Sequence, residues 1–474
     1  MAIVHEYFKR VLADLFGLAY TSSQGASVDA FVTFFFRDRD RALFLLKGHA
    51  GTGKTSLVAA IVNTLERLHY RVILLAPTGR AAKVFSAYAG MPAFTIHKKI
   101  YRRRENGLFD LGFNTSSETL FFVDEASMIG AGNTDTIFGS GSLLDDLFLY
   151  VYNGRQNRLV FIGDDAQLPP VGTPLGPALD HEYLRRNHDV EVNEASLTET
   201  TRQATDSGIL FNATRIRKMI GRREKATAFL AHRFPDVTRI SGGDFLEALE
   251  REYSVAGEEE TVIICRSNRQ ANRFNAGIRA RLFYREEALG SGDRVMIVHN
   301  NYFWVDRRDN DFIANGDVAT VTRVRKHVEL YGFHFAHASL DVQGRADEID
   351  AWMLLDTLTT DQPALSRDDF FRLQAAVEED YATEASRRKR LEKVRENEFF
   401  NALQIKYAYA ITGHKAQGGQ WNAVFLDAGR VNEDCLDDDY WRWLYTAFTR
   451  ARERLFLVNF KNDWFEGEPA ADSF

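Results

Sequence analysis

Residues 48–55, GHAGTGKT, constrain what this chain can fold into more than any other stretch. They match the pattern GxxxxGK[ST], follow an apolar run at 42–46 and open a helix-like stretch at 55–69. That strand–loop–helix setting is the one in which the pattern has chemical meaning. Glycines let successive backbone N–H groups turn inward around a phosphate chain, and the helix N-terminus adds a favourable dipole. On this reading Gly51, Thr52 and Gly53 form the cradle and Lys54 neutralises the β- and γ-phosphates. The Thr55 hydroxyl would ligate Mg²⁺.

The periodicity of the chain extends this unit. Apolar runs at 42–46, 72–76, 120–124 and 159–162 are separated by helical patterns at 55–69, 79–89 and 135–152. Strands alternating with helices imply βαβ units and a parallel sheet, so the expected class is α/β. A second series follows: 261–265, a helix after Asn268, then 404–410, 424–426 and 454–459. Two segments interrupt the rhythm. Residues 101–118 are polar and contain an Asn-Gly step, which suggests a hairpin. Residues 316–356 hold short β-rich runs, such as 317–324 and 338–342, that read as a small antiparallel barrel. The charged pattern at 366–400 reads as one long helix with a solvated face, Glu384 and Arg388 standing at i,i+4 spacing. The expected division is a first lobe at 1–190 carrying the 101–118 hairpin, then a second lobe built from 191–305 and 403–474. A barrel-like and helical insertion at 306–402 would interrupt that second lobe.

Composition removes several alternatives. A net charge of −7 over 474 residues lacks the global basic footprint of a passive nucleic-acid coat, though a local cleft can still be basic. Cys265 and Cys435 stand too far apart to suggest a zinc site or a disulfide framework. No apolar run reaches the length of a membrane span, and the first residues lack the apolar core of a signal peptide. A cytoplasmic setting and a monomer are expected.

A triphosphate-hydrolysing site needs a metal carboxylate and a base at the end of a neighbouring strand. The run LFFVDE at 120–125 supplies both: Asp124 for Mg²⁺, and Glu125 to orient and deprotonate water. These motifs alone fit kinases, switches and transport ATPases equally well. What narrows the class is the series that follows. GDDAQLPPVG at 163–172 contains Gln167, a neutral amide suited to sensing a γ-phosphate. TTRQ at 200–203 contains Arg202, and YTAFTRAR at 445–452 contains Arg450. An arginine supplied from a separate lobe can stabilise transferring phosphoryl charge only when the lobes close.

In this order the motifs resemble those of superfamily 1 helicases, in particular the RecD/Dda-like group that moves 5′→3′. The resemblance covers most of the chain, and the GDxxQLPPVG run is its most specific part. It implies two RecA-like P-loop lobes, ATP with Mg²⁺, and single-stranded and forked duplex DNA as partners, in replication or repair. It makes Arg202 and Arg450 the γ-phosphate arginines and places Gln24 where the family reads adenine; Gln420 is counted with the nucleotide contacts. TGHKAQG at 412–418 resembles a further family motif through Thr412, His414 and Lys415, but position 413 is glycine where the family more often has a β-branched residue. That glycine is expected to loosen the loop.

The strand track is read from further motifs. Pro77, Thr78 and Arg80 resemble one DNA-contact motif, and Thr95, His97 and Lys98 the next. Hydroxyls and backbone N–H groups at a helix N-terminus suit phosphate. Phe109 and Phe113, near the turns of the 101–118 hairpin, are the candidate aromatics of a strand-separating pin. Tyr302, Phe303 and Trp304 either pack the barrel or line the strand channel, packing being the preferred reading. Rival readings are an RNA helicase, a protein-displacing translocase and an ATP-dependent nucleic-acid-binding switch. A small-molecule kinase would leave the later motifs unexplained.

Overall fold

The computed structural model describes residues 2–37, 41–103, 109–132, 138–170, 173, 176–201, 206–222, 229, 231, 233–305, 312–429 and 436–465. Two helices, α1 (Ala2–Phe16) and α2 (Ser22–Phe36), precede strand β1 (Ala42–Gly48), and α3 (Lys54–Arg67) follows the phosphate-type loop. Then come β2 (Arg71–Ala76), α4 (Gly79–Ala89), β3 (Ala93–Thr95), α5 (Ile96–Ile100), and the short pair β4 (Tyr101–Arg103) and β5 (Phe109–Leu111). Strand β6 (Thr119–Val123), α6 (Leu143–Asn153), β7 (Arg158–Gly163), α7 (His181–His188) and β8 (Glu191–Leu197) complete the first half.

Six of these strands form one parallel sheet in the order β3-β2-β6-β7-β1-β8. Its central strands carry continuous apolar, buried runs at 42–46, 120–123 and 159–162, as expected of strands covered on both faces. One face is covered by α1, α2 and α3 through a phenylalanine-rich cluster in which Phe31 contacts Phe8, Phe34, Phe35, Phe44 and Phe122. The 191–305 boundary expected for the second lobe is therefore too early. Strand β8 pairs along its whole length with β1, from Ala42↔Glu191 to Gly48↔Leu197, and belongs to the first sheet. A polar sequence hid it: on an edge strand only alternate positions need be apolar, so NEAS reads as loop.

Helix α8 (Gly208–Met219) starts the second half, followed by β9 (Val237–Ile240), α9 (Phe245–Val255), β10 (Thr261–Cys265), α10 (Asn268–Arg281) and β11 (Arg294–Ile297). The inserted region contributes β12 (Val318–Leu330), β13 (Phe333–Val342), β14 (Ile349–Leu354), α11 (Asp356–Thr359), α12 (Arg367–Glu379) and α13 (Arg387–Glu396). The chain returns through β15 (Leu403–Tyr407), β16 (Ala410–Thr412), α14 (Gly413–Ala416), β17 (Trp421–Asp427), α15 (Asp438–Phe448) and β18 (Ala451–Val458). A second parallel sheet runs β16-β10-β17-β18-β9, and β11 to β15 close into a barrel. The barrel is thus larger than the expected 306–402 insertion, because β11 and β15 on either side close it.

The charged stretch at 366–400 is two helices, not one. After α12 the chain turns back at 380–386, so that Leu373, Val377 and Val394 all bury against Phe333, Phe335 and Trp352 of the barrel. An unbroken helix would carry these apolar positions past that surface. Glu384 accordingly faces Lys393 at 3.6 Å, and Arg388 pairs with Glu392 at 3.1 Å, in place of the expected Glu384–Arg388 pair.

Candidate nucleotide cleft and strand groove

The loop after β1 turns on Gly51 and Gly53, both at φ 76°, a backbone region that side chains with a Cβ rarely enter. Space is the second reason for Gly53: a Cβ there would sit 2.5 Å from the Gln24 side chain. Gln24 is buried beneath the loop, donating to the Thr52 carbonyl at 3.0 Å, while its Oε1 accepts from Thr21 N–H in a capping box. Lys54 Nζ donates to the Gly48 carbonyl at 3.2 Å, and Thr55 follows it in the first turn of α3.

Beside the loop, the end of β6 presents Asp124 and Glu125. The Asp124 carboxylate accepts from the Tyr88 hydroxyl at 2.6 Å and from the Glu125 N–H at 2.9 Å. Tyr88, which sequence reading passed over, lies on α4, the helix whose first turn carries Thr78 and Arg80. Burial, and then the Asp124 charge, hold the Tyr88 phenol well above its usual pKa, so it remains a donor. Glu125 adopts a left-handed backbone at φ 51°, the kind of local strain that concentrates at functional sites. Burial raises its carboxyl pKa, Arg450 opposes that and Asp124 adds to it.

The second lobe closes over this edge. Arg450, 4% exposed, stands 3.9 Å from Glu125 and donates to the Thr446 and Gly419 carbonyls and the Thr449 hydroxyl. Gln167 lies on the same seam, with Leu168 N–H bound to Thr446 Oγ1 at 2.9 Å and the Leu168 carbonyl to Gln417 at 2.7 Å. Asp164, just beyond β7, accepts from His49 at 3.2 Å and from the Tyr445 hydroxyl at 2.6 Å. Burial opposes its ionisation, but His49, Lys54 and Tyr445 more than offset this and hold the carboxyl below its ordinary pKa.

The donor set suits a magnesium triphosphate. Glu125 Oε2 and Gln167 Oε1 are buried without a hydrogen-bond partner among the described residues, an arrangement that costs free energy unless a ligand or water completes it. Lys54, Asp124, Glu125, Gln167, Arg450, Gln24 and the 51–55 loop thus gather at one cleft. Arg202 lies outside the described residues. Gln420 is placed elsewhere: it is exposed, with its side chain taken by Arg452 and its carbonyl by Arg80, so no contact among the described residues ties it to the phosphate loop.

A groove of about 1120 Å³ separates α4 and β3 from the barrel. Arg80, Thr95 and Lys98 line its first-lobe wall, and Trp304, Asp317 and Arg345 the opposite one. Thr78 and Thr95 cap α4 and α5 through their hydroxyls, with Pro77 just before the first. Arg80 stacks 3.7 Å over the ring of buried Trp421 in the second lobe, and burial lowers its pKa to about 10. Thr412 stands at the start of α14, His414 is exposed, and Lys415 reaches Asn315 beside the groove, where burial lowers its pKa to about 8.

Two expected strand contacts point inward. His97 packs against Tyr101 and Phe138, and burial depresses its pKa to about 4, so it serves the packing of the hairpin base as a neutral ring. Phe109, 6% exposed, packs against the rings of Phe138 and Tyr302, the latter at 4.4 Å. Phe113 is 77% exposed but follows β5 at the base of the β4–β5 pair, away from the turn; that turn, including Arg104 and the Asn-Gly step, lies outside the described residues. Gly413 does not loosen its loop. A Cβ there would lie 2.6 Å from Trp443, so the glycine permits close packing of α14 on α15.

Two family descriptions match the chain: an AAA domain over residues 20–233, and a UvrD-like helicase C-terminal domain over 407–458. The chain is 24% identical to the ATP-dependent RecD2 DNA helicase of Deinococcus radiodurans, over 89% of this chain and 47% of that protein. It is 22% identical to DNA helicase B of Mus musculus, over 88% of this chain and 42% of that protein. It therefore spans about half the length of these curated relatives. A Pif1 helicase from Bacteroides, solved in complex with ADP-AlF3 and ssDNA, aligns over 95% of both chains with 17% identity and a TM-score of 0.47. The AAA match carries the phosphate loop and the UvrD-like match carries Arg450, so in both halves the chain is similar to helicases of the RecD-like kind.

Proposed function

We propose that this chain is an ATP-driven DNA helicase that moves 5′→3′ along single-stranded DNA and opens duplex ahead of it. The observation that carries the reading is the meeting of Glu125 from one lobe with buried Arg450 from the other, 3.9 Å apart beside the phosphate loop. Lys54 and the loop N–H groups bind the phosphates; Thr55 and Asp124 would hold Mg²⁺, which would supply neutralising charge to the triphosphate. Glu125 orients the attacking water and takes its proton; its raised pKa makes it a stronger base. Gln167 and Arg450, with Arg202, stabilise charge on the transferring group once the lobes are closed.

Thr78, Thr95, Lys98, Thr412 and Lys415 grip the strand along the groove, and each closure shifts one lobe along it. Each base-pair step costs roughly 1.4 kcal/mol to open, so fraying must be captured stepwise by an energy-consuming advance. The test is ATP hydrolysis with and without single-stranded DNA, followed by unwinding of forks with either a 5′ or a 3′ tail. Stimulated hydrolysis with opening only of 5′-tailed forks supports the reading; opening only of 3′-tailed forks reverses the polarity. Turnover that ignores DNA removes the motor.

A further inference from the structure

The phosphate loop, the turn after β7 and helix α15 meet at one hydroxyl. The Tyr445 Oη accepts from the Ala50 backbone N–H at 2.9 Å and donates to Asp164 Oδ2 at 2.6 Å. The other carboxylate oxygen of Asp164 receives His49 Nδ1 at 3.2 Å and Ala166 N–H at 3.0 Å. His49 and Ala50 belong to the phosphate loop, Asp164 begins the turn that carries Gln167, and Tyr445 lies on α15 of the second lobe. Tyr445 and Asp164 are each 1% exposed, so water does not substitute readily for either partner. The last turn of α15 and the residues just after it therefore touch all three elements of the cleft: Tyr445 the loop, Thr446 the residue after Gln167, and Arg450 Glu125.

We infer that the Tyr445 hydroxyl is a positioning group that makes the shape of the phosphate loop depend on lobe closure, and so sets the rate of hydrolysis. Its chemistry suits the task. A phenol has one proton to give and lone pairs to receive, so it can satisfy a carboxylate and an amide N–H at once. The bond to ionised Asp164 is charge-assisted and short, which fixes the hydroxyl in place. If the lobes separate, Ala50 N–H and Asp164 lose that shared partner together, and the loop loses its tie to the second lobe. Open lobes thus carry a looser loop, and closure restores it together with Arg450. The tie acts through Ala50, upstream of the loop residues that cradle phosphate, so Tyr445 is not itself a catalytic residue.

This inference rests on the motor reading above, and its test has one arm independent of activity. Tyr445→Phe keeps the ring in the core of the second lobe and deletes only the hydroxyl. In the full nucleotide-free chain, amide hydrogen exchange at 48–53 is expected to quicken by about tenfold, the loss expected when a tertiary tie on a loop is removed. With saturating single-stranded DNA, kcat for ATP is expected to fall by about tenfold with KM changed by less than about threefold, the signature of a lost closed-state interaction. Asp164→Asn should lower kcat in the same direction, and the double variant should fall less than the product of the two single losses. Unchanged exchange in Tyr445→Phe overturns the inference, as does a melting temperature that falls together with proportional changes in kcat and KM. If the wild-type chain shows no DNA-stimulated hydrolysis, the motor reading fails while the exchange arm still decides the fate of the loop tie.

Discussion

Lys415 offers a test of the strand groove whose size follows from the structure. Burial against the second lobe lowers the pKa of its ammonium to about 8, and its nearest partner, Asn315, carries no charge. A DNA phosphate at this position would favour the charged form and raise the pKa of the complex well above that of the free protein. Above pH 8 binding must then take up a proton, and affinity falls as pH rises. If the pKa in the complex rises to about 10 or above, linkage predicts binding about tenfold weaker at pH 9 than at pH 7 from this group alone. The assay is fluorescence anisotropy of a labelled single-stranded oligonucleotide across pH 6.5–9.5, at fixed ionic strength because phosphate contacts are salt-dependent. Lys415→Arg keeps a charge at every pH in that range and should flatten the curve. This control matters because Lys406 also titrates near 8, although its ammonium is taken by the Thr357 and Thr360 carbonyls inside the barrel region. A wild-type curve flat from pH 7 to 9, or a Lys415→Arg curve that falls as steeply, refutes the placement of Lys415 on the strand path. The stability of the chain should move the other way. A lysine whose folded pKa lies below its unfolded value costs stability while protonated, and that cost is relieved as pH rises from 8 towards 10.5.

Glu125→Gln should lower kcat by roughly 10²–10⁴-fold, the usual contribution of a general base, while filter-binding shows ATP still bound. Lys54→Ala should abolish hydrolysis with single-stranded DNA binding intact; wild-type-like turnover would remove Lys54 from the site. Gly413→Val should cost about 1–3 kcal/mol by overpacking against Trp443, and an unchanged melting curve would contradict the tight contact. Phe109→Ala empties a buried aromatic cluster and should cost about 3–5 kcal/mol, whereas Phe113→Ala at an exposed site should stay within about 0.5 kcal/mol. Only Phe113 can therefore test strand separation cleanly: a single-turnover fork assay should show slower unwinding at unchanged translocation, and equal losses would exclude it.

That the phosphate-type loop, Asp124 and Glu125 meet at one cleft was legible residue by residue. A phosphate loop needs glycines, a lysine and a hydroxyl at fixed spacing on one strand–helix junction, and Asp124 and Glu125 need only the end of the next apolar strand. Such features are encoded within a few residues, so pattern and spacing carry them. The two alternating series likewise gave the two parallel sheets, because period and β-branching report a buried strand wherever it lies. Edge strand β8 escaped because its partners, and not its own residues, make it a strand.

What the linear chain determined on its own is the set of groups that can handle a triphosphate and the kind of sheet that presents them. Tertiary structure alone decided which of the remaining polar and aromatic residues face that chemistry. His97 and Phe109 became interior packing, Gly413 a contact surface for Trp443, and Tyr445, His49 and Tyr88 members of the cleft. The physical reason is distance along the chain. Tyr445 and Ala50 are separated by 395 positions, and whether a hydroxyl meets an amide across that span depends on how two independently built cores dock, which no local pattern records.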